Sequence, residues 1–294
     1  MDASFLFGQF VGGLSAAMFL FLIASGLSLI FGVLRILNFA HGSFYMIGAY
    51  LAWQIVHLIG PLTESFWLAI LGAALTVALL GALIERVLLR NLYGREELYQ
   101  LLLTYALVLV LADAAKLIWG SQQLSVSRPD SLSGTLSLFG AVIPHYNLFI
   151  IVLGPVLALT IWLILHRTRT GRLIRAASLD REMLGALGCD VGRLYTFTFA
   201  AGAFLAGLAG ALVTPIKTIV PGMDVEIIVE AFIVVVIGGL GSLWGTLIGS
   251  LIYGQFLSFG ILVFPRFSTF SVFTLMAIVL IIRPWGLFGR PLSR

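Results

Sequence analysis

Nine long apolar runs follow one another along this chain of 294 residues, and they leave few options for its fold. A helix that crosses a lipid bilayer needs about 20 apolar residues, whereas barrel strands are alternating segments of about 10 residues. Only 10% of the residues are charged and 60% are hydrophobic, against about 25% charged residues in soluble domains. The sequence therefore predicts an all-α polytopic membrane protein that forms a single transmembrane domain. The runs are 9–34, 39–59, 65–89, 98–119, 146–165, 194–216, 225–241, 243–264 and 268–282.

The seventh run is the weakest candidate for a complete crossing. Glu226 and Glu230 lie within it, and its uninterrupted apolar part, 231–237, is too short to span the bilayer. We therefore predict eight to nine transmembrane helices, with a broken or re-entrant segment near 225–245. The two glutamates, one helical turn apart, either attract a cation or an ammonium group or simply belong to a solvated helix end.

The basic residues indicate the orientation of the chain. If the C-terminus is cytoplasmic and every run crosses, 13 of the 17 basic residues fall on the cytoplasmic side, three fall outside, and Lys116 lies near a helix end. This asymmetry follows the positive-inside rule, so the net charge of +4 is no indication of nucleic-acid binding. The cytoplasmic set is Arg35, Arg86, Arg90, Arg95, Arg167, Arg169, Arg172, Arg175, Arg181, Arg193, Arg283, Arg290 and Arg294, and the outer set is Arg128, Lys217 and Arg266.

Two connections between runs are long. The external loop, 120–145, is rich in turn-forming residues and is either a docking surface for an extracytoplasmic partner or a solvated connector. The cytoplasmic loop, 166–193, carries six arginines and the lone cysteine, Cys189. Arginines set topology, but they do not explain the apolar residues among them.

A short amphipathic helix, 181–187, is predicted within the cytoplasmic loop. Asp180 is suited to cap its N-terminus and Gly188 to end it. Such a helix fits a groove on a partner protein, and the alternative is that it lies flat on the lipid surface. Its predicted apolar face consists of Met183, Leu184 and Leu187.

The sequence offers little for catalysis. The four histidines are scattered without zinc-binding spacing, and no phosphate-binding glycine loop precedes either lysine. We therefore predict that the chain is not an enzyme and holds no metal or cofactor. If ATP drives its activity, the ATPase is another polypeptide. Asp113 and Lys116 stand three residues apart and are predicted to form a structural ion pair on one helix face.

Two glycine-bearing segments, each opening a helix that runs outward, are candidates for a substrate path. Glycine at such places either lets helices pack closely or interrupts them so that free N–H groups face an anionic substrate group. Close packing is the commoner use. The candidate residues are Asn38, His41, Gly42 and Ser43 in the first segment and Gly238, Gly239, Gly241 and Ser242 in the second.

Four segments resemble the inner-membrane permeases of ABC importers for branched-chain amino acids, the LivH type. They are 26–42 (GLSLIFGVLRILNFAHG), 175–188 (RAASLDREMLGALG), 236–245 (VIGGLGSLWG) and 283–289 (RPWGLFG), and the resemblance extends over nearly the whole chain. The second segment is similar to the Ala-Ala…Gly motif that ABC permeases present to their ATPase subunits. Arg175 stands where many such permeases carry glutamate, so details of docking cannot be transferred.

The resemblance implies a subunit of a multi-protein importer in the bacterial inner membrane. A second, related permease would complete the path for branched-chain or other hydrophobic amino acids, with urea or amides as the alternative substrates in the family. Two ATP-binding subunits, which hold ATP and Mg, would dock on loop 166–193, and a periplasmic substrate-binding protein would deliver the substrate. The residues implied in coupling are Arg175, Ala176, Ala177, Asp180, Arg181, Glu182, Met183, Leu184, Leu187 and Gly188.

The competing class is a self-sufficient secondary carrier or channel. The sequence disfavours a carrier because its spans are predicted to lack a buried acid or histidine relay. It disfavours a channel because a channel needs no capped amphipathic helix in a cytoplasmic loop.

Overall fold

The computed structural model of the protein describes residues 3–60, 63–263 and 268–289. Within them the chain is almost entirely helical, with one antiparallel hairpin between the fourth and fifth helices. The helices are α1 (Ala3–Leu34), α2 (Ala40–Ile59), α3 (Thr63–Val87), α4 (Glu97–Trp119), α5 (His145–Arg167), α6 (Arg169–Leu179), α7 (Arg181–Ala186), α8 (Val191–Val213), α9 (Met223–Gly238), α10 (Leu243–Val263) and α11 (Ser268–Ile282), and the strands are β1 (Thr135–Leu138) and β2 (Ala141–Pro144).

Seven of the described helices are long and apolar enough to cross a membrane: α1 to α5, α8 and α10. The polytopic helical architecture is therefore confirmed. Helices α9 and α11 have 16 and 15 residues, fewer than the about 20 that a perpendicular crossing needs. Eight to nine crossings thus stay a prediction. Residues 239–242 connect α9 to α10, and the broken or re-entrant character of the segment near 225–245 also stays a prediction.

The external loop contains a short hairpin that the sequence did not predict, although the fold remains overwhelmingly helical. Phe139 and Gly140 form its turn with positive φ angles of 50° and 78°. In β2 the buried Ala141 and Ile143 flank the exposed Val142. This alternation spans only four residues, which is too short to stand out in a sequence dominated by apolar helices.

The cytoplasmic loop 166–193 also contains more structure than the sequence predicted, because α6 precedes α7. Thr168 caps α6 by accepting a hydrogen bond from the Gly171 N–H at 3.0 Å. Ile174 and Ala177, one turn apart, are both buried. The frequent arginines masked this narrow apolar stripe in the sequence.

Helix α1 lies at the centre of the bundle, where it packs against α5, α8, α9 and α10. Close approach of the helix backbones depends on glycine. A Cβ at Gly26 would meet the carbonyl oxygen of Gly202 at 2.6 Å. A Cβ at Gly48 would overlap the backbone of Gly207. Helices α4 and α5 lie at the periphery with mostly exposed apolar side chains, as expected for helices that face lipid.

One end of the bundle collects basic residues, and we call it the basic end. Arg35, Arg95 and Arg181 line a single cavity of about 440 Å³ there. Connection 239–242 reaches the same end, where Gly241 packs on Gly32 at the end of α1. The structure thus brings together arginines from distant loops, and the sequence had placed these arginines on one side of the membrane. Arg266, Arg290 and Arg294 lie outside the described residues.

Candidate coupling surface and buried polar site

The α7 helix projects from the basic end. Asp180 caps it, since one carboxylate oxygen accepts hydrogen bonds from the N–H groups of Glu182 and Met183 at 3.0 and 2.9 Å. The helix ends at Ala186, and Gly188 follows with a φ of 82°. The left-handed conformation at Gly188 turns the chain toward α8.

The apolar residues of α7 do not share one face, and that prediction was wrong. Leu184 is 6% exposed and packs toward the bundle, whereas Met183 and Leu187 are 59% and 73% exposed. Adjacent residues of a helix point about 100° apart, so Leu184 cannot face the same way as Met183. Leu179, at the end of α6, is 78% exposed and adds a third outward side chain that the sequence analysis missed. We call Leu179, Met183 and Leu187 the apolar triad.

Charged residues surround the apolar triad. Asp180, Arg181 and Glu182 are all exposed, as is Gly188, while Ala176 is half-buried and Ala177 is buried. Arg175 is exposed and lines a second, smaller cleft of about 90 Å³ between α1, α5 and α6. An apolar centre with a charged rim is typical of a protein–protein contact surface.

Glu85 connects the end of α3 to the start of α8, just behind α7. Its carboxylate is fully buried and accepts hydrogen bonds from the hydroxyls of Tyr93, at 2.7 Å, and of Thr196. Burial raises the pKa of Tyr93, and the hydrogen bond to Glu85 raises it further. The Tyr93 hydroxyl therefore stays protonated and can donate. The sequence carried no signal for this contact, because Thr196 is 111 residues from Glu85.

Glu85→Ala is expected to lower the free energy of unfolding by about 2 kcal/mol, because it leaves the half-buried Tyr93 hydroxyl without its acceptor and removes one of the two acceptors of Thr196. Thermal unfolding of the purified protein in detergent micelles measures the effect. The matched control is Glu96→Ala, since Glu96 is exposed near the same end and should change stability by less than about 0.5 kcal/mol. Equal unfolding temperatures for the two variants would contradict the role of Glu85.

The first predicted path segment lies inside the bundle. The connection 35–39 turns back from the end of α1, with a positive φ of 56° at Arg35, so that α2 begins beside the middle of α1. A ring nitrogen of His41 lies 2.9 Å from the carbonyl oxygen of Ile23. At about 1.5 Å per residue, Ile23 is about 16 Å from the end of α1. Asn38, His41 and Ser43 are fully buried and Gly42 is buried with them.

A buried aspartate faces this segment. The Ser43 hydroxyl donates to Asp224 Oδ2 at 2.8 Å, and Asp224 is 1% exposed. A Cβ at Gly42 would overlap the carbonyl oxygen of Asp224, so the first turns of α2 and α9 are in direct contact. The statement that the spans lack a buried acid was therefore wrong. Asp224 follows Pro221 and Gly222, and at this position it resembles an ordinary loop residue in the sequence.

The second predicted path segment lies at the basic end, away from the first. Gly238 packs against the backbone of Gly245, and Gly239, with a φ of 106°, packs against Gly289. The Ser242 hydroxyl accepts from the Gly245 N–H at 3.1 Å at the start of α10. Gly241 has a φ of 80°. These glycines permit turns and close packing, and their contact with substrate stays a prediction.

The remaining charged candidates lie near the C-terminal end of α4 and in the first half of α9. Lys116 Nζ is 3.2 Å from Asp113 Oδ1, with both side chains at least half exposed, so the pair adds little stability. On α9, Glu226 is exposed and Glu230 is half-buried. The described residues include no group of three His, Cys, Asp or Glu side chains arranged to hold a metal ion.

A family model described as "Branched-chain amino acid transport system / permease component" matches residues 9–282. The chain belongs to this permease family. The permease is 32% identical to the high-affinity branched-chain amino acid transport system permease protein BraD of Pseudomonas aeruginosa, over 96% of this chain and 95% of BraD. It is 30% identical to LivH of Escherichia coli, over 99% and 98% of the two chains.

A more distant relative is the probable LivH of Methanocaldococcus jannaschii, 28% identical over 92% of this chain and 88% of its own length. No solved structure matches the permease. Family membership makes the protein a multi-pass membrane transport component rather than an enzyme. It also confirms the resemblance that the four sequence segments indicated.

Proposed function

We propose that the permease is one membrane subunit of an ABC importer for branched-chain or other hydrophobic amino acids in the bacterial inner membrane. A second, related permease completes the path, and two ATP-binding subunits dock on residues 166–193 and hold ATP and Mg. A periplasmic substrate-binding protein delivers the substrate. The similarity to BraD and LivH, which are both named as branched-chain amino acid transport permeases, supports the substrate class.

The observation that carries this proposal is the exposed apolar triad at the basic end. Its three side chains are each more than half exposed, although full burial of such a side chain is worth about 1.5–3 kcal/mol. A partner groove would recover that free energy. The lipid surface is a weaker alternative, because α7 has only six residues and stable interfacial binding requires a larger buried apolar area.

The contacts behind α7 suggest how the ATPases would act on the bundle. Leu184 joins α7 to the protein interior, and the Glu85–Thr196 bond joins α8 to α3. Closure of the ATPases would displace α7, and these contacts would carry the displacement into α3 and α8. A rigid-body rearrangement of this kind opens a path alternately to the two sides. The basic end and the C-terminus are cytoplasmic in this arrangement.

A self-sufficient secondary carrier is the second candidate, because the buried Asp224 is the type of residue that marks ion-coupled transport. Family membership favours the importer. Within the family, urea and amides are the alternative substrates, and the similarity to BraD and LivH favours amino acids.

Transport by reconstituted vesicles tests the proposal. Leucine uptake is expected only when the permease is reconstituted with the subunits that co-purify with it, with ATP on the side of the basic end and loaded binding protein on the other. The permease alone should give no uptake. ATP-independent leucine uptake by the permease alone would establish the secondary carrier instead. Comparing Leu, Phe, an amide and urea as ligands of the binding protein then identifies the substrate.

A further inference from the structure

The N-terminus of α2 lies inside the bundle without a side-chain cap. Its N-cap residue, Phe39, supplies no capping hydrogen bond, and its first turn contains no acidic residue. The first N–H groups of a helix carry partial positive charge and need an acceptor. Asn38, immediately before the cap, is fully buried, and neither its amide nitrogen nor its amide oxygen has a partner among the described residues.

Negative charge lies directly against this helix start. Asp224 Oδ2 accepts from Ser43, but Oδ1 is buried and has no hydrogen-bond partner in the described part of the chain. Tyr50 follows Ser43 by two turns on the same face of α2, and its hydroxyl is also buried without a partner there. The Tyr50 ring stacks on Trp119 with a centroid distance of 5.0 Å.

Unpaired buried polar atoms are rare in proteins, and each costs about 1–3 kcal/mol. A ring nitrogen of His41 and four further atoms, on Asn38, Tyr50 and Asp224, are of this kind, so the region where the first half of α2 meets α9 requires an explanation. Close packing alone does not explain these atoms. Apolar side chains of similar size would pack as well without the free-energy cost of unpaired polar groups. A ligand with both donors and acceptors would satisfy the four atoms on Asn38, Tyr50 and Asp224.

We propose that the start of α2 and the start of α9 form a binding site for a zwitterionic amino acid within the membrane. The ammonium group binds the Asp224 carboxylate and the Tyr50 hydroxyl. The substrate carboxylate accepts from the first N–H groups of α2 and from the Asn38 amide. This site rests on the proposed function and narrows its substrate class, since urea and neutral amides have no charges to match it.

In the present conformation the site is closed. Ser43 occupies one oxygen of Asp224, and Gly42 contacts the Asp224 backbone. His41 ties α2 to α1, so the first turn of α9 is the part that moves when substrate enters. Gly222, just before α9, has a φ of 96° with open space around it, which permits that movement.

Asp224→Asn in the complete, reconstituted complex tests the site. Leucine uptake is expected to fall at least tenfold, because a neutral amide cannot pair with the ammonium group. ATP hydrolysis stimulated by leucine-loaded binding protein, and the subunit composition, should stay at the wild-type level. The matched control is Asp113→Asn, at an exposed position, with wild-type uptake. Wild-type leucine uptake by Asp224→Asn would overturn the site.

Two further variants keep the proposal falsifiable if Asp224→Asn does not assemble. Tyr50→Phe removes only the hydroxyl and should raise the KM for leucine uptake about three- to tenfold without changing the maximal stimulated ATP hydrolysis. An unchanged KM would contradict the site.

Ser43→Ala should reduce leucine uptake much less than Asp224→Asn does. Equal losses would mean that Asp224 only holds α2 against α9 through its hydrogen bond with Ser43. If the wild-type complex shows no ATP-dependent uptake, the proposed function itself fails.

Discussion

Replacing Met183 and Leu187 together by serine is expected to abolish ATP-driven uptake while the permease still inserts and folds. Both side chains are more than half exposed, so the substitution removes little surface that is buried within the chain. Apolar side chains at the centre of an interface contribute about 2 kcal/mol or more each. The affinity for the ATP-binding subunits should therefore fall about 1,000-fold. Co-purification of the subunits and leucine uptake by vesicles measure the two effects.

The control for this double variant is Val142→Ser, which removes an equally exposed apolar side chain from the hairpin of the external loop. It should leave ATPase binding unchanged. Leu184→Ser serves a different purpose, because Leu184 is buried and its loss should destabilise the fold itself. Normal ATPase binding by the Met183 and Leu187 double variant would show that the apolar triad is not the docking surface.

Gly210→Val is expected to prevent stable folding of the helix bundle. A Cβ at Gly210 would overlap the carbonyl oxygen of Tyr45 and lie 3.1 Å from the backbone nitrogen of Ala49. Backbone atoms cannot rotate away as a side chain does, so α2 and α8 would have to separate. Overpacking of a core costs about 1–3 kcal/mol and occasionally more, and we expect the upper end of that range. The yield of monodisperse protein and its unfolding temperature measure the loss.

Gly12→Val is the matched control. Gly12 also lies in a long apolar helix, but a Cβ there would have no atom within 4 Å. The same β-branched side chain should therefore cost less than about 1 kcal/mol. If both variants lost stability equally, helix propensity rather than the α2–α8 contact would explain the effect.

Much of this architecture is local in origin and was predictable. Each apolar run forms a helix within a few residues of its expected bounds, because a chain in lipid must satisfy its backbone hydrogen bonds internally. The Asp180 cap is also local, since its partners, Glu182 and Met183, follow within three residues. The four motif segments led to the family, which the comparison with known permeases then established.

The candidate sites depended on contacts between distant parts of the chain. Asp224 and Ser43 are 181 residues apart, so no local pattern marks their pairing. Likewise, the separation of Leu184 from Met183 depends on which side of α7 the bundle occupies. Glycine at position 42 was compatible with either close packing or substrate contact, and only the position of α9 shows that the two helix starts touch.

The sequence by itself determined that the protein is a membrane protein, which segments form helices and which family the chain resembles. Composition and periodicity are enough to predict the membrane location and the helical segments. Both depend on the surrounding lipid or on residues that are neighbours along the chain. The tertiary structure alone decided which polar groups are buried together and which apolar side chains remain free. Burial and pairing are properties of helix contacts, and those contacts join residues that the sequence keeps far apart.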